Sequence, residues 1–371
     1  MFVLGENMPA TPLENIIREI IATEGPIPID EYFGLVLGHP QHGYYMSQQP
    51  FGLDGDFITA PEASQMFGEL IGVWFASIYQ SIGSPKQINL VEVGPGQGVL
   101  MADMLRAAKV MPGFRGAVQV HFVETSRRLR EIQKAAVAKE GFSASWHDHF
   151  QDVPEGPMLL AGNEFFDAIP IKQFEKRGGK WHERFVGVNG DNKLGFVLSP
   201  DQVSPLLIPT WAHDSDEDSI AEVAPVRSAI AEEMARRLKR SPGAAIFIDY
   251  GHAESGVVDT LQAMRAHKFA DVFEDIGYCD LTSHVDFGEL GRAMEQGGAK
   301  VLPAMTQGAF LRAMGIDARA QQLLRKSTDE QRDAITFNLN RLVADDQMGT
   351  LFKVMAAVSP GMPAPYPFGE P

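Results

Sequence analysis

A single cysteine, Cys279, in 371 residues leaves no partner for an intrachain disulfide and excludes a cysteine-cluster metal site, which fits a reducing compartment. The ten histidines never recur at H-x-x-x-H or H-E-x-x-H spacing, so no metal is expected. Long apolar runs are missing too: nothing approaches the ~20 residues of a membrane span. Positive charge is scarce, with 32 Lys and Arg against 48 Asp and Glu and a formal net charge of −16. That balance excludes broad nonspecific binding to nucleic acid, which rests on phosphate neutralisation, and favours a basic partner. Met1 to Thr11 carries neither a signal-peptide pattern nor the Arg-rich, acid-poor character of a transit peptide, so the expectation is a cytoplasmic, bacterial-like protein. No internal repeat or low-complexity tract interrupts the chain. The ordinary apolar fraction of 44% argues against disorder, and the length suffices for a large core as one elaborated domain or two.

What is present is concentrated in Val91 Glu92 Val93 Gly94 Pro95 Gly96 Gln97 Gly98 Val99 Leu100. An apolar run ends in an acidic residue, glycines follow at alternate positions, and Leu100, Met101, Met104 and Leu105 then repeat at helical spacing. Strand, glycine loop and helix bring peptide N–H groups against a ligand where a Cβ would block the approach. The same loop would also serve as a tight turn with no ligand. A dinucleotide fingerprint requires a small third residue, and counted from Gly94 that place holds Val99. The spacing E-x-G-x-G-x-G instead resembles the first motif of S-adenosylmethionine methyltransferases, which makes Glu92, Gly94, Gly96 and Gly98 cofactor-binding candidates.

Gln119 to Val123 reads as a short strand ending in Glu124, before an Arg-rich helical pattern opened by Ser126. A carboxylate there is suited to both hydroxyls of a ribose; its alternative is a helix cap. Ser145 Trp146 His147 Asp148 follows a third strand, where Trp146 would stack on an adenine and Asp148 accept from its amine. Asn163 Glu164 Phe165 Phe166 Asp167 Ala168 follows the fourth strand, at the edge where such sheets bind ligands. Two carboxylates three apart, beside an amide and two aromatics, suit a cationic or amide substrate; alternatively the phenylalanines are core and Asp167 a cap. Asp249 Tyr250 Gly251 His252 ends the fifth strand, and Asp280 to Phe287 adds His284 and Asp286.

Residues 12–37 and 62–82 show helical spacing, forming a helical preface. Strands are expected near 88–93, 118–123, 157–162 and 244–249 with helices between them, an α/β doubly wound arrangement. Residues 171–198 read as three antiparallel strands joined by tight turns, with a helix from about 219 to 240 after them. Residues 319–346 look helical, and 350–358 reads as a final core strand. The expected division is a helical extension and cofactor-covering segment over 1–84, a core over 85–170, 241–260 and 296–371, and substrate-side insertions over 171–240 and 261–295.

Gly55 Asp56 Phe57 Ile58 Thr59 Ala60 Pro61 Glu62, Phe67 Gly68 Glu69, the Glu92–Gly98 loop, the Asn163–Ala168 run, Ile248 to His252, His284 Val285 Asp286 Phe287 and Thr306 Gln307 Gly308 together resemble the MidA-type family. The resemblance spans about Gly43 to Met355, in the family's order, with Gln97 where a basic residue is common. It implies a Rossmann-like class I S-adenosylmethionine methyltransferase sheet in an α/β fold. It also implies protein arginine methylation and a link to respiratory complex I, with a complex I subunit as protein substrate, in the bacterial cytoplasm or, for a eukaryotic member, the mitochondrial matrix. By position in that resemblance Glu164 and Asp167 form the guanidinium clamp, with Asp249, His284 and Asp286 as second choices for substrate contact or proton removal. The 55–62 segment would close over the cofactor through Thr59, Pro61 and Gln65, and Asn163 would contact it. Two other functions remain open at this point: a noncatalytic cofactor-binding assembly chaperone, and a nicotinamide-dependent oxidoreductase, against which Val99 argues.

Overall fold

The alternating apolar runs of the sequence form one mostly parallel sheet. Its strands are, in chain order, Ile88–Val93 (β1), Val118–Val123 (β2), Ala144–His147 (β3), Met158–Asn163 (β4), Gly243–His252 (β5), Val285–Asp286 (β6), Lys300–Thr306 (β7) and Phe352–Val358 (β8). The computed structural model describes residues 10–47, 59–265 and 268–369. Strand order is β7-β8-β5-β4-β1-β2-β3, with β6 paired to the end of β5. Pairings from β3 through β5 are parallel, whereas β8 runs antiparallel to both β5 and β7. β1 is buried at every position, as a strand covered on both faces requires. Because the chain leaves β1 for β2 on one side and returns to β4 on the other, the switch in strand order lies beside β1, where ligands enter such sheets.

Five helices matter for the site: Gln65–Ser81 (α1), Val99–Ala108 (α2), Arg127–Lys139 (α3), Pro225–Arg240 (α4) and Phe287–Gly297 (α5). Phe67, Ile71, Trp74 and Ile78 of α1 share one core with Leu100, Met101, Met104 and Leu105 of α2 and with β1, β2 and β4. Burying that many large side chains stabilises the assembly by ~2 kcal/mol each, the dominant favourable term. α1 therefore belongs to the sheet's own core and is not part of a separate preface.

The chain divides into two compact units, Met1–Phe57 with Ala168–Val226 and Gly256–Ser283, and Ile58–Asp167 with Arg227–Ser255 and His284–Pro371. These bounds differ from the expected ones: α1, expected in the helical extension, and nearly all of α4, expected in an insertion, fall in the sheet unit, and two further regroupings have a visible cause. Helices Pro12–Glu24 and Ile29–Gly38 group with the inserted strands because Ile27–Pro28 between them pairs with Lys180–Val188, and Leu13, Ile17, Phe33 and Val36 share a core with Val186. His284 to Gly297 falls in the sheet unit because β6 is bonded to β5. In the first unit Lys172–Arg177, Lys180–Val188 and Leu194–Gln202 form the expected antiparallel strands. The helix expected from about 219 begins later: Ile220–Val223 is a strand paired with Lys172–Glu175, and the helix starts at Pro225. Proline at the first helical position is preorganised for that start.

Candidate active site

The loop after β1 turns through three left-handed residues, Gly94 at φ +60°, Gly96 at +49° and Gly98 at +77°. Side chains are strained in that region, so the glycines are dictated by backbone conformation. Space adds a second constraint: a Cβ on Gly94 would lie 2.9 Å from Phe165 Cδ2, and one on Gly98 would lie 3.1 Å from Gln133 Cγ. Glu92, expected at the cofactor, sits beneath the loop instead. It is buried and accepts a hydrogen bond from the Met101 N–H, which ties β1 to α2, while burial pushes its carboxyl well above the usual range.

A cleft of about 440 Å³ opens over this loop, lined by Gly94, Glu124, Asp148, Phe150, Phe165 and Met234 among other residues. Glu124 stands on its rim, after β2. One carboxylate oxygen accepts from the Ser126 N–H at 2.7 Å and the other from Gln133 Nε2 at 3.2 Å. Burial raises its pKa, opposed by the N–H groups of Ser126, Gln133 and Thr125 and by the Arg130 charge. Arg130 also pairs with Asp148 across the rim. Trp146 does not line the cleft: it lies inside β3, with its ring stacked on Phe122 at 5.8 Å and its indole N–H donated to Gln133 Oε1 at 2.8 Å. The third strand is that segment itself rather than the residues before it, and strand alternation turns Trp146 to the face that α3 covers.

The second constellation surrounds the loop after β4. Glu164 is held at φ +48° and its carboxylate accepts from Asn163 Nδ2 at 3.1 Å and from the Ala60 N–H. The Asn163 amide thus serves Glu164, and Asn163 does not line the cleft. Burial first, then the Asp167 charge, pushes Glu164 up to about 8. Asp167 is buried and its Oδ2 accepts from the Tyr250 hydroxyl at 2.6 Å. Phe166 belongs to the core, whereas Phe165 faces the cleft.

Three second-choice residues separate here. Asp249 is only 1% exposed, and its carboxylate is taken up by main-chain donors. Its carboxylate accepts from the main-chain N–H of Phe166, Asp167 and Tyr250 at 3.0, 3.2 and 3.0 Å, so it shapes the loop that carries Glu164. Asp286 is the N-cap of α5, accepting from the Glu289 N–H at 2.9 Å and from Ser255, with His252 at 3.7 Å. His284 packs edge-on to Tyr250 at 5.6 Å, and burial, with His252, Lys353 and Arg227 nearby, lowers its pKa and keeps it neutral. Thr59 caps the turn Ala60–Ala63, Pro61 is buried in it and Gln65 is exposed at the start of α1. None of the three lines the cleft, though their turn supplies the Ala60 N–H to Glu164. Gly55 to Ile58 of the expected covering segment lies outside the described residues.

Arg227, Tyr250 and Gln133 are the residues that sequence reasoning missed. Arg227, buried on α4, donates to the main-chain carbonyls of His284 and Asp167 at 2.8 and 3.2 Å. Tyr250 lies within the Asp249–His252 run, where it was given no role, and Gln133 is an amide on the same helical stripe as Val137, both buried.

The cleft suits an adenosyl cofactor on its own chemistry. A carboxylate already held by donors presents acceptor capacity for hydroxyls, and Phe150, Phe165 and Met234 offer apolar walls for a ring. A family model of S-adenosyl-L-methionine-dependent methyltransferases matches residues 70–305. The chain is 38% identical to the mitochondrial protein arginine methyltransferase NDUFAF7 of Xenopus tropicalis, over 93% of this chain and 85% of that protein. It is 36% identical to the Homo sapiens protein of the same name, over 94% and 83%. A Burkholderia thailandensis crystal structure bound to S-adenosyl-homocysteine matches with a TM-score of 0.82 at 27% identity, covering 95% of this chain and 92% of that one. The chain belongs to this family of S-adenosylmethionine-dependent methyltransferases, which sets the nicotinamide alternative aside.

Proposed function

We propose that this methyltransferase modifies arginine side chains of a protein, with Glu164 and Asp167 holding the guanidinium. The observation that carries the reading is Glu164 itself. A carboxyl kept in a left-handed loop residue by two donors, yet raised to about 8 beside a second acid, is poised for a cation. An arriving guanidinium would draw it down to the carboxylate, because an opposite charge favours the ionised form. The names of the relatives support the same substrate class.

Bound S-adenosylmethionine supplies an electrophilic methyl group, and Gly94, Gly96, Gly98 and Glu124 are the residues that would hold it. The protein's task is then alignment and charge placement. A guanidinium stays protonated, with pKa above ~12, and is a poor nucleophile. Two carboxylates on one edge concentrate its charge there and leave the far nitrogen more able to attack. Tyr250 orients Asp167, Asp249 holds the loop, and the neutral His284 imidazole accepts the proton that arginine gives up. The net charge of −16 favours a basic substrate protein, and the family resemblance points to a respiratory complex I subunit. The named relatives are mitochondrial, so a eukaryotic chain would act in the matrix and a bacterial one in the cytoplasm.

The test is methyl transfer from labelled S-adenosylmethionine to arginine-bearing peptides and their lysine counterparts, read by mass spectrometry, with wild type and Glu164→Gln. Methylarginine from the wild type and none from the variant, at unchanged S-adenosyl-homocysteine affinity, is expected. Label on lysine alone, or a fully active variant, overturns the assignment.

A further inference from the structure

Gln133 is wholly buried, at 0% exposure, yet it sits on α3, a helix whose other face is charged. Its amide makes three hydrogen bonds to three different segments. Nε2 donates to the Gly96 carbonyl at 2.8 Å and to Glu124 Oε2 at 3.2 Å, and Oε1 accepts from the Trp146 indole at 2.8 Å. The amide's orientation is not arbitrary. An indole N–H only donates, so Oε1 must face Trp146, and the two acceptors on the other side then meet the NH₂ group. The absent Cβ of Gly98, which would lie 3.1 Å from Gln133 Cγ, is what lets the side chain reach the loop.

We infer that Gln133 is a positioning residue for the cofactor, locking the glycine loop and the Glu124 carboxylate into one geometry, with Trp146 setting the direction of its amide. The inference rests on the reading that Glu124 accepts the ribose hydroxyls. Burying a primary amide is unfavourable unless its donors and acceptor are satisfied, and here both donors are used on cofactor-facing elements. The other donors to the Glu124 carboxylate come from its own neighbours, Ser126 and Thr125, with the Arg130 charge nearby, and among the described residues Gln133 is the side chain that bonds both this carboxylate and the glycine loop. Preorganising a binding carboxylate in this way lowers the ordering cost of binding.

The experiment is calorimetric titration of the full chain with S-adenosyl-homocysteine and with its 2′-deoxy analogue, using wild type, Glu124→Ala, Gln133→Leu and Trp146→Phe, with thermal melts as the folding check. Gln133→Leu keeps the buried volume and removes every hydrogen bond of the amide. It is expected to weaken S-adenosyl-homocysteine about tenfold or more and to erase the preference for the 2′-hydroxyl, as Glu124→Ala does. A general loosening of the fold would weaken both ligands equally and leave that preference intact. Trp146→Phe retains the stack on Phe122 and frees the amide to flip, with an expected loss of about threefold in the same preference. It also serves as the second probe if Gln133→Leu does not fold. Wild-type affinity and preference in Gln133→Leu, or in Trp146→Phe where it stands alone, overturns the positioning role. Wild-type behaviour of Glu124→Ala overturns the ribose reading instead, and the inference with it.

Discussion

Glu124 and Glu164 stand at the carboxyl ends of β2 and β4, on either side of β1, and the same side chain meets different surroundings at the two places. Both are raised by burial. Around Glu124 the other influences are Ser126, Gln133, Thr125 and Arg130, all of which favour the carboxylate. Around Glu164 two donors are outweighed by burial and by Asp167 and Glu62, and the group is pushed to about 8. The difference teaches that position on the sheet edge does not assign a role. A carboxylate whose charge is already compensated suits neutral hydroxyls, whereas one facing other acids calls for a cation.

The comparison breaks most visibly at Glu164. Glu164→Gln is expected to reduce methyl transfer by about a thousandfold, since the guanidinium loses a charged partner, while S-adenosyl-homocysteine binding stays within about twofold. Comparable losses in both measurements would merge the two sites into one. Next in size is Gly94→Val, where the Cβ must find room 2.9 Å from Phe165 at φ +60°. Calorimetry should show at least about a hundredfold loss of S-adenosyl-homocysteine affinity, and binding near wild type would place the cofactor elsewhere. Glu124→Gln should weaken that ligand about tenfold, the scale of a charge-assisted hydrogen bond.

Stability against pH sharpens the contrast. Glu164 has an ordinary value of 4.5 and a folded value of about 8, so the folded state keeps its proton where the unfolded chain has lost it. Its contribution is therefore fullest below the lower value and declines as pH rises toward the upper one. The slope is at most about 1.4 kcal/mol per pH unit, and it ends above the upper value. Urea melts between about pH 5 and about pH 8 should show that decline flattened in Glu164→Gln; identical slopes would contradict it. The smallest effect is expected at Asp286→Ala. Loss of the α5 cap should lower stability by about 1 kcal/mol and leave methyl transfer unchanged, and a large drop in transfer would return Asp286 to the catalytic group.

The glycine loop was legible because its information is local. Alternate glycines after an apolar run state a backbone conformation, and all three adopt the left-handed region. The place of Glu124 directly after a strand was legible for the same reason. Trp146 is hard to place from sequence because β3 is a four-residue edge strand with no buried position and no apolar alternation to mark where it starts. Asp249 and Asp286 carried the right chemistry in the right region. What they hold, three main-chain N–H groups in one case and a helix end in the other, is not written in spacing.

The order of strands, loops and acids follows from the sequence alone, because periodicity and glycine placement act over a few residues and report on the backbone directly. From them came the doubly wound sheet, the glycine loop after its first strand and the acidic residues at its edge. Only the tertiary structure decided which acids are buried and what each of them bonds. Burial and hydrogen-bond partners come from segments far apart in the chain, as when α3, β3 and the glycine loop meet at Gln133, and those contacts set the charge and direction of each side chain.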